Sequence, residues 1–238
     1  MARRTPAKRT LAMGTPEDRP AWLRVTHGET HWWVLAAMLV VVALHYTMPG
    51  SFVLQPSWVA PTIESALLVL MSVFRTPDTS HRSSRLRILG QLQFAVMAIW
   101  NMVSLGLLVH AVTDGSHISA LALLRGGLAI WINNVIVFSL WYWAWDRGGP
   151  TARVAGARDQ PDLLYPQMTD DHLARDWEPK YFDYFYVSFT NSTAFSPTDT
   201  MPLSRWMKAL FTVQSLTALL TVTLVAARAV NILPGAGS

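Results

Sequence analysis

Residues 188–208 read SFTNSTAFSPTDTMPLSRWMK and place a cluster of small polar side chains between two apolar segments. An aromatic run, YFDYFYV, precedes the cluster, and a long apolar stretch follows it. The apolar part from Tyr181 to Phe195 is too short to cross a bilayer, which takes about 20 residues, and too apolar for a free loop. Segments of this length are typical of re-entrant or interfacial helices.

Pro197 ends the short helix that this pattern predicts. Thr198, Asp199 and Thr200 are candidate N-caps for the next helix, and Pro202 suits its first turn. Non-helical backbone at membrane depth persists only where it is buried in protein or lines water. The sequence therefore predicts a half-helix, an irregular polar turn and then a full helix.

The composition is that of an integral membrane protein. Of 238 residues, 51% are hydrophobic and 14% are charged, whereas soluble domains carry about 25% charged residues. The net charge of +4 comes from loops and tails, which indicates membrane orientation and no nucleic-acid partner. The lack of cysteine excludes disulfides and thiolate metal ligands. We find no catalytic, phosphate-binding, zinc or haem motif, and we predict neither an enzyme nor a cofactor or metal.

The predicted fold is an all-α integral membrane protein with five transmembrane helices and one pore-loop-like re-entrant half-helix. The five apolar segments are His31–Met48, Trp58–Phe74, Ile88–Val112, Ile118–Trp145 and Ala209–Ala227. The predicted parts are a basic disordered cytoplasmic tail (1–30), a four-helix transmembrane bundle (31–145), a cytoplasmic linker (146–180), and the re-entrant segment with the final helix (181–233).

The distribution of Lys and Arg predicts the orientation. Basic residues concentrate in the N-terminal tail and in the loop from Arg75 to Arg87, whereas the loops at 49–57 and 113–117 contain none. We therefore expect a multi-pass protein of a bacterial inner membrane, with its N-terminus in the cytoplasm and its C-terminus outside.

Residues 181–231 resemble the pore module of tetrameric cation channels, in which a pore helix precedes a T-V-G-Y-G-D filter and a lining helix. Thr193 and Ala194 match the first two filter positions, and Asp199 and Pro202 match its end if one extra residue is allowed. The filter is degenerate, because Phe195 and Pro197 stand near the positions of the missing glycines. Only glycine allows that backbone to direct successive carbonyls at an ion, so a potassium-type filter is not expected.

The whole chain resembles a family of uncharacterised bacterial multi-span membrane proteins, through the segments WYWAWDRGGP and YVSFTNSTAFSPTDTMPLSR. This resemblance implies an architecture but no activity. Hydroxyl, amide and carboxylate oxygens suit hard cations, and the predicted ion pathway uses such side chains. Its residues are Thr190, Asn191, Ser192, Thr193, Ser196, Thr198, Asp199, Gln214, Thr217 and Thr221.

Each group of polar residues has a second interpretation. Gln214, Thr217 and Thr221 share one helical face, which can line water or hydrogen-bond a neighbouring helix. Asp199 is either a helix N-cap or, in an oligomer, one member of a carboxylate ring. The Ser and Thr hydroxyls near Pro197 can simply satisfy freed backbone groups.

Glu64 lies within the short second segment, where it is either a buried functional carboxylate or a group at the outer interface. His45 and His110 lie near the ends of their segments, and we expect both at the interface.

The predicted function is weakly selective cation permeation by a homo-oligomer in the lipid bilayer, with a tetramer as the expected state and an inorganic cation as the partner. One alternative is a small proton-coupled transporter that uses Glu64 as its coupling acid. The other is a scaffold or assembly subunit that transports nothing and whose polar groups only join helices.

Overall fold

The computed structural model describes residues 19–26, 29, 32–73, 84–114, 118–170, 172–193 and 199–232. These residues form seven α-helices and one small sheet. The helices are α1 (Trp32–Thr47), α2 (Val59–Val73), α3 (Ser84–Thr113), α4 (Ala120–Trp145), α5 (Pro150–Val154), α6 (Tyr181–Thr193) and α7 (Arg205–Ile232). Short 3-10 turns cover Ala21–Leu23, Gly50–Phe52, Asp146–Gly148 and Pro166–Thr169.

The fold is that of a helical membrane protein. Three helical stretches are long and apolar enough to cross a membrane: Leu86–Thr113, Ala120–Gly148 and Arg205–Arg228. The helices α1 and α2 are apolar but shorter. Each predicted segment coincides with one helix, although α3 and α7 each begin four residues earlier than predicted, at Ser84 and Arg205. Because α7 begins at Arg205 and Pro202 lies in a strand, Asp199 and Thr200 are not the N-caps of this helix.

Four helices form a closed bundle. The helix α1 packs on α2 and α4, and α3 packs on the same two helices. Outside this bundle, α6 packs on α4 and α7, and α7 also contacts α3. The apolar window of α4 is 61% buried, compared with 22% for that of α7. A helix that is apolar on all sides is expected at the centre of a fold, and α4 occupies that position.

The segment after α4 is anchored by a buried carboxylate, that of Asp146. Its Oδ1 accepts the N–H groups of Asp162 (3.0 Å) and Leu163 (3.3 Å). Its Oδ2 accepts the hydroxyl of Tyr184 in α6 at 2.7 Å. A carboxylate that accepts several hydrogen bonds is stable in a buried position, so Asp146 joins α4, the linker and α6.

The small sheet was not predicted. Its strands β1 (Leu163–Leu164) and β2 (Met201–Pro202) are antiparallel and pair Leu163 with Pro202 and Leu164 with Met201. Each strand has only two residues, so the fold remains almost entirely helical. The pairing joins the linker to the start of α7.

Part of the predicted cytoplasmic tail contacts the rest of the protein. The N–H of Ala21 donates to the carbonyl of Ala174 (2.9 Å), and that of Thr26 donates to the carbonyl of Val154 (3.2 Å). The buried guanidinium of Arg147 donates to the carbonyl of Trp22 and lies 5.2 Å from the centre of its ring. These contacts attach residues 21–26 to the linker and to the end of α4, and a cation–π contact of Trp22 adds to them. Residues 1–18 and the loop at 75–82 lie outside the described residues.

The contact between α4 and α7 requires a glycine. A Cβ built at Gly127 would overlap the side chain of Val225. Valine has few rotamers and cannot move aside easily. A Cβ built at Gly106 in α3, by contrast, would meet nothing within 4 Å.

We predict that Gly127→Ala lowers the stability of the protein in detergent by about 1 to 3 kcal/mol, because the added methyl group overpacks this contact. Thermal unfolding measures the change. Gly106→Ala is the matched control, and we expect it to be neutral or stabilising, since alanine favours a helix over glycine. Val225→Ala should restore the stability of the Gly127→Ala variant. Equal effects of the two glycine substitutions would contradict the prediction.

Candidate functional site

The short helix α6 runs along α4 in the opposite direction. At its start, the Tyr181 hydroxyl lies 2.8 Å from Oγ of Ser139, near the C-terminal end of α4. Further along, the Ser188 hydroxyl donates to the carbonyl of Val135 at 2.6 Å. The ring of Phe189 then lies 5.8 Å from that of Trp131. The C-terminal part of α6 is thus beside the middle of α4.

After α6 the chain returns to the end of α4 from which α6 began. The N–H of Leu203 donates to the carbonyl of Asp162 at 2.8 Å, beside the strand pairing. In the first turn of α7, the ring of Trp206 lies 5.2 Å from that of Trp145, the last residue of α4. The segment 194–198 connects these two parts and lies outside the described residues, so the predicted site residues Ser196 and Thr198 do too.

The sequence of α6 explains why one of its faces packs. Tyr181, Tyr184 and Ser188 follow helical spacing and are buried, whereas Phe182 and Tyr186 are at least half exposed. The Asp183 carboxylate accepts the N–H of Lys180 at 2.8 Å and caps the first turn.

A second carboxylate, that of Glu29, also stabilises the start of α6. It accepts the N–H of Tyr181 at 2.7 Å. Burial raises the pKa of Glu29, and the hydrogen bond from Tyr181 opposes this effect. The start of α6 is therefore stabilised by a contact between residues that are far apart in the chain.

The side chain of Gln214 lies at the centre of the predicted pathway residues and is fully buried. Its Nε2 donates to the carbonyl and hydroxyl of Ser188 (2.9 and 2.6 Å) and to the hydroxyl of Ser192 (2.8 Å). Its Oε1 accepts the Tyr142 hydroxyl (2.5 Å) and the Asn191 amide (2.8 Å). One side chain of α7 therefore bonds to both α4 and α6. We call these five residues the Gln214 network.

Further bonds surround this network. The Nδ2 of Asn191 also donates to the carbonyl of Phe211 at 3.1 Å, and the Ser215 hydroxyl donates to Oδ1 of Asn191 at 3.0 Å. From α4, the Asn134 amide donates to the backbone carbonyl of Gln214 at 3.2 Å. The polar side-chain atoms of the Gln214 network all have partners within one copy of the chain, whereas Oδ1 of Asn134 is buried without a partner among the described residues.

The remaining predicted residues separate into buried and exposed groups. Thr217 and Thr221 are buried, and each donates to the backbone carbonyl four residues earlier in α7. Together with the Gln214 network, this favours the helix-packing interpretation of that face. Thr190 is half-buried, whereas Thr193 and Asp199 are exposed.

Glu64 lies in another part of the molecule. Its carboxylate oxygens are both 2.9 Å from Nδ1 of His45, and both side chains are fully buried. The two residues therefore form a buried pair that joins α1 to α2. The apolar sequence around both residues could indicate burial, but it could not reveal that they are partners.

The sequence alone also does not identify Tyr142 or Asn134 as members of the polar contact at Gln214. Tyr142 lies within an aromatic run, where the sequence gives no sign that its hydroxyl has a buried partner. Throughout the described ranges, no group of three or more His, Asp or Glu side chains is placed to hold a metal ion.

In comparisons with known proteins, no protein-family model, curated protein or solved structure matched the chain.

We predict that Gln214→Leu lowers the free energy of unfolding by about 2 to 4 kcal/mol, because it leaves several buried polar groups without a partner. Thermal unfolding in detergent measures the effect. Thr212→Ala is the control on the same helix, since Thr212 is exposed and bonds only to the backbone carbonyl of Lys208. A Gln214→Leu variant as stable as Thr212→Ala would show that the network contributes nothing.

Proposed function

We propose that the chain is a five-span membrane protein in which α6 and the segment after it form a loop that enters the membrane and returns to the same side. One observation carries this proposal. Before α6, the linker bonds to Asp146 at the end of α4, and after α6, Trp206 lies beside Trp145 at that same end, whereas Phe189, near the end of α6, reaches the middle of that helix. The helix α4 is long enough to cross a bilayer, so a segment that ends beside its middle would end inside the membrane.

The distribution of basic residues gives the side from which this loop would enter. Lys208 and Arg205 stand at the start of α7, close to the end of α4 that the loop approaches. Under the positive-inside rule this end faces the cytoplasm. The C-terminal end of α7 would then lie on the outer side of a bacterial inner membrane.

The function that we propose for this loop is weakly selective cation permeation by a homo-oligomer. Thr193 and Asp199 stand on either side of residues 194–198 in the sequence and are exposed in a single copy of the chain. Polar groups that border hydrocarbon need protein or water beside them. Symmetric copies around a central axis would supply both, and the Asp199 carboxylates would then form a ring that attracts cations. A tetramer is the state that the channel resemblance implies.

The exposed aromatic face of α6 supports self-association. Phe182 and Tyr186 are 72% and 50% exposed, on the side of α6 that faces away from α4. Aromatic side chains are common at interfaces between subunits. In this arrangement the Gln214 network would hold the loop in place, and the ion path would follow residues 193–199 rather than the buried face of α7.

We predict that Asp199→Asn reduces the single-channel cation conductance of the purified protein in planar bilayers about two- to tenfold, because the carboxylate ring that concentrates cations is lost. Asp176→Asn removes the same charge from an exposed position in the linker and is the matched control. It should leave the conductance unchanged.

The single-channel recordings are interpreted together with the subunit number from native mass spectrometry. If the protein is monomeric, or if the currents of the Asp199→Asn and Asp176→Asn variants equal that of the wild type, the loop is not an ion path. A protein that forms an oligomer without any current would support the scaffold function instead.

A further inference from the structure

The four-helix bundle contains a second set of buried polar side chains that the loop does not involve. Each helix contributes one: His45 from α1, Glu64 from α2, Asn101 from α3 and Asn133 from α4. All four residues are at most 2% exposed. Ser104 of α3 is also buried and lies on the same face as Asn101. The same helix buries another amide, that of Gln93, about two turns closer to its N-terminus.

These side chains lie at a common height in the bundle. Met38, Met71 and Phe94 line one cavity near the Arg87 end of the bundle, and the ring of Phe94 lies 6.0 Å from that of Trp141. Each member of the set lies seven or eight residues along its helix from one of these four residues. The pairs are Met38 and His45, Met71 and Glu64, Phe94 and Asn101, and Trp141 and Asn133. Seven residues of helix correspond to about 10 Å. Because neighbouring helices are antiparallel, all four residues lie on the same side of the cavity, at a similar distance from it along the bundle.

Most polar atoms of this set have no hydrogen-bond partner among the described residues. They are Nε2 of His45, both amide atoms of Asn101, the hydroxyl of Ser104 and both amide atoms of Asn133. Buried polar groups in proteins almost always bond to protein or to water. The Gln214 network follows this rule with protein partners alone, whereas this set requires a polar ligand.

The pair of His45 and Glu64 indicates which ligand. The pair is electrically neutral when an imidazolium faces a carboxylate, or when a neutral imidazole faces a carboxylic acid. A neutral imidazole beside a carboxylate gives the pair a net charge of −1. The charged groups that the structure describes within α3 and α4, Arg87, His110 and Arg125, are exposed, whereas the pair is buried. A net charge in the interior of a membrane protein is unfavourable, so gain and loss of a proton would strongly affect this site.

We infer that His45, Glu64, Asn101, Ser104 and Asn133 form a hydrated proton-binding site inside the four-helix bundle. Water bonds to the two amides, to the hydroxyl of Ser104 and to Nε2 of His45. A proton taken up from water at Nε2 releases the proton on Nδ1 to the Glu64 carboxylate, so that the pair gains one proton in total. This inference does not depend on the ion path proposed for α6.

The absence of native cysteine permits a direct test of hydration. In Ser104→Cys, which changes one atom, the thiol should react with Ag⁺ in the folded protein, because water and ions of similar size reach it. Leu140→Cys is the control, since Leu140 is fully buried in an apolar part of α4. We expect Ser104→Cys to react at least about tenfold faster, and later labelling in denaturant confirms that both thiols are present.

Infrared difference spectra of the folded protein between acidic and alkaline buffers test the proton. A carboxylic acid band that shifts in D₂O should appear in the wild type and in Asp176→Asn, and should be absent in Glu64→Gln. Two results would each overturn the inference. One is a Ser104→Cys thiol as protected from Ag⁺ as that of Leu140→Cys. The other is a carboxylic acid spectrum that Glu64→Gln leaves unchanged.

Discussion

The hydrogen bonds of Gln214 determine how α6 is held. A helix of 13 residues is marginal by itself, and α6 presents polar side chains to two apolar neighbours. The Gln214 amide bonds to Ser188, Ser192 and Asn191 on α6 and to Tyr142 on α4. Removal of α6 would leave Nε2 of Gln214 without its partners, and an unpaired buried polar group is costly. The contact therefore specifies the position of the helix as well as its stability.

The return of the chain after α6 depends on a separate set of contacts. Asp146 accepts N–H groups from Asp162 and Leu163, and Leu163 pairs with Pro202 beyond the loop. The linker between α4 and α6 is thus part of the support for the loop. A flexible connection would let α7 begin anywhere near α4, whereas these bonds place its first turn beside Trp145.

The helices could be predicted from the sequence because long apolar segments report burial or lipid contact directly. The predicted segment from Ile118 to Trp145, for example, corresponds to α4, which begins two residues after the predicted start. Partners could not be predicted in the same way. His45 and Glu64 are 19 residues apart, and Glu29 and Tyr181 are 152 apart. Hydrophobic patterns identify a buried position, but they do not identify the group that meets it there.

The two polar sets of the molecule share one helix. Asn134 faces α7 and bonds to the backbone of Gln214, whereas its neighbour Asn133 belongs to the set inside the bundle. Adjacent residues of a helix point about 100° apart, so α4 presents one amide to each set. The side chains of the Gln214 network are satisfied by protein groups, whereas the inner set depends on water. A change in hydration beside Asn133 that displaced α4 along its axis would also change the hydrogen bonds of Asn134 and Tyr142. The central helix is in this sense the physical connection between the bundle and the loop.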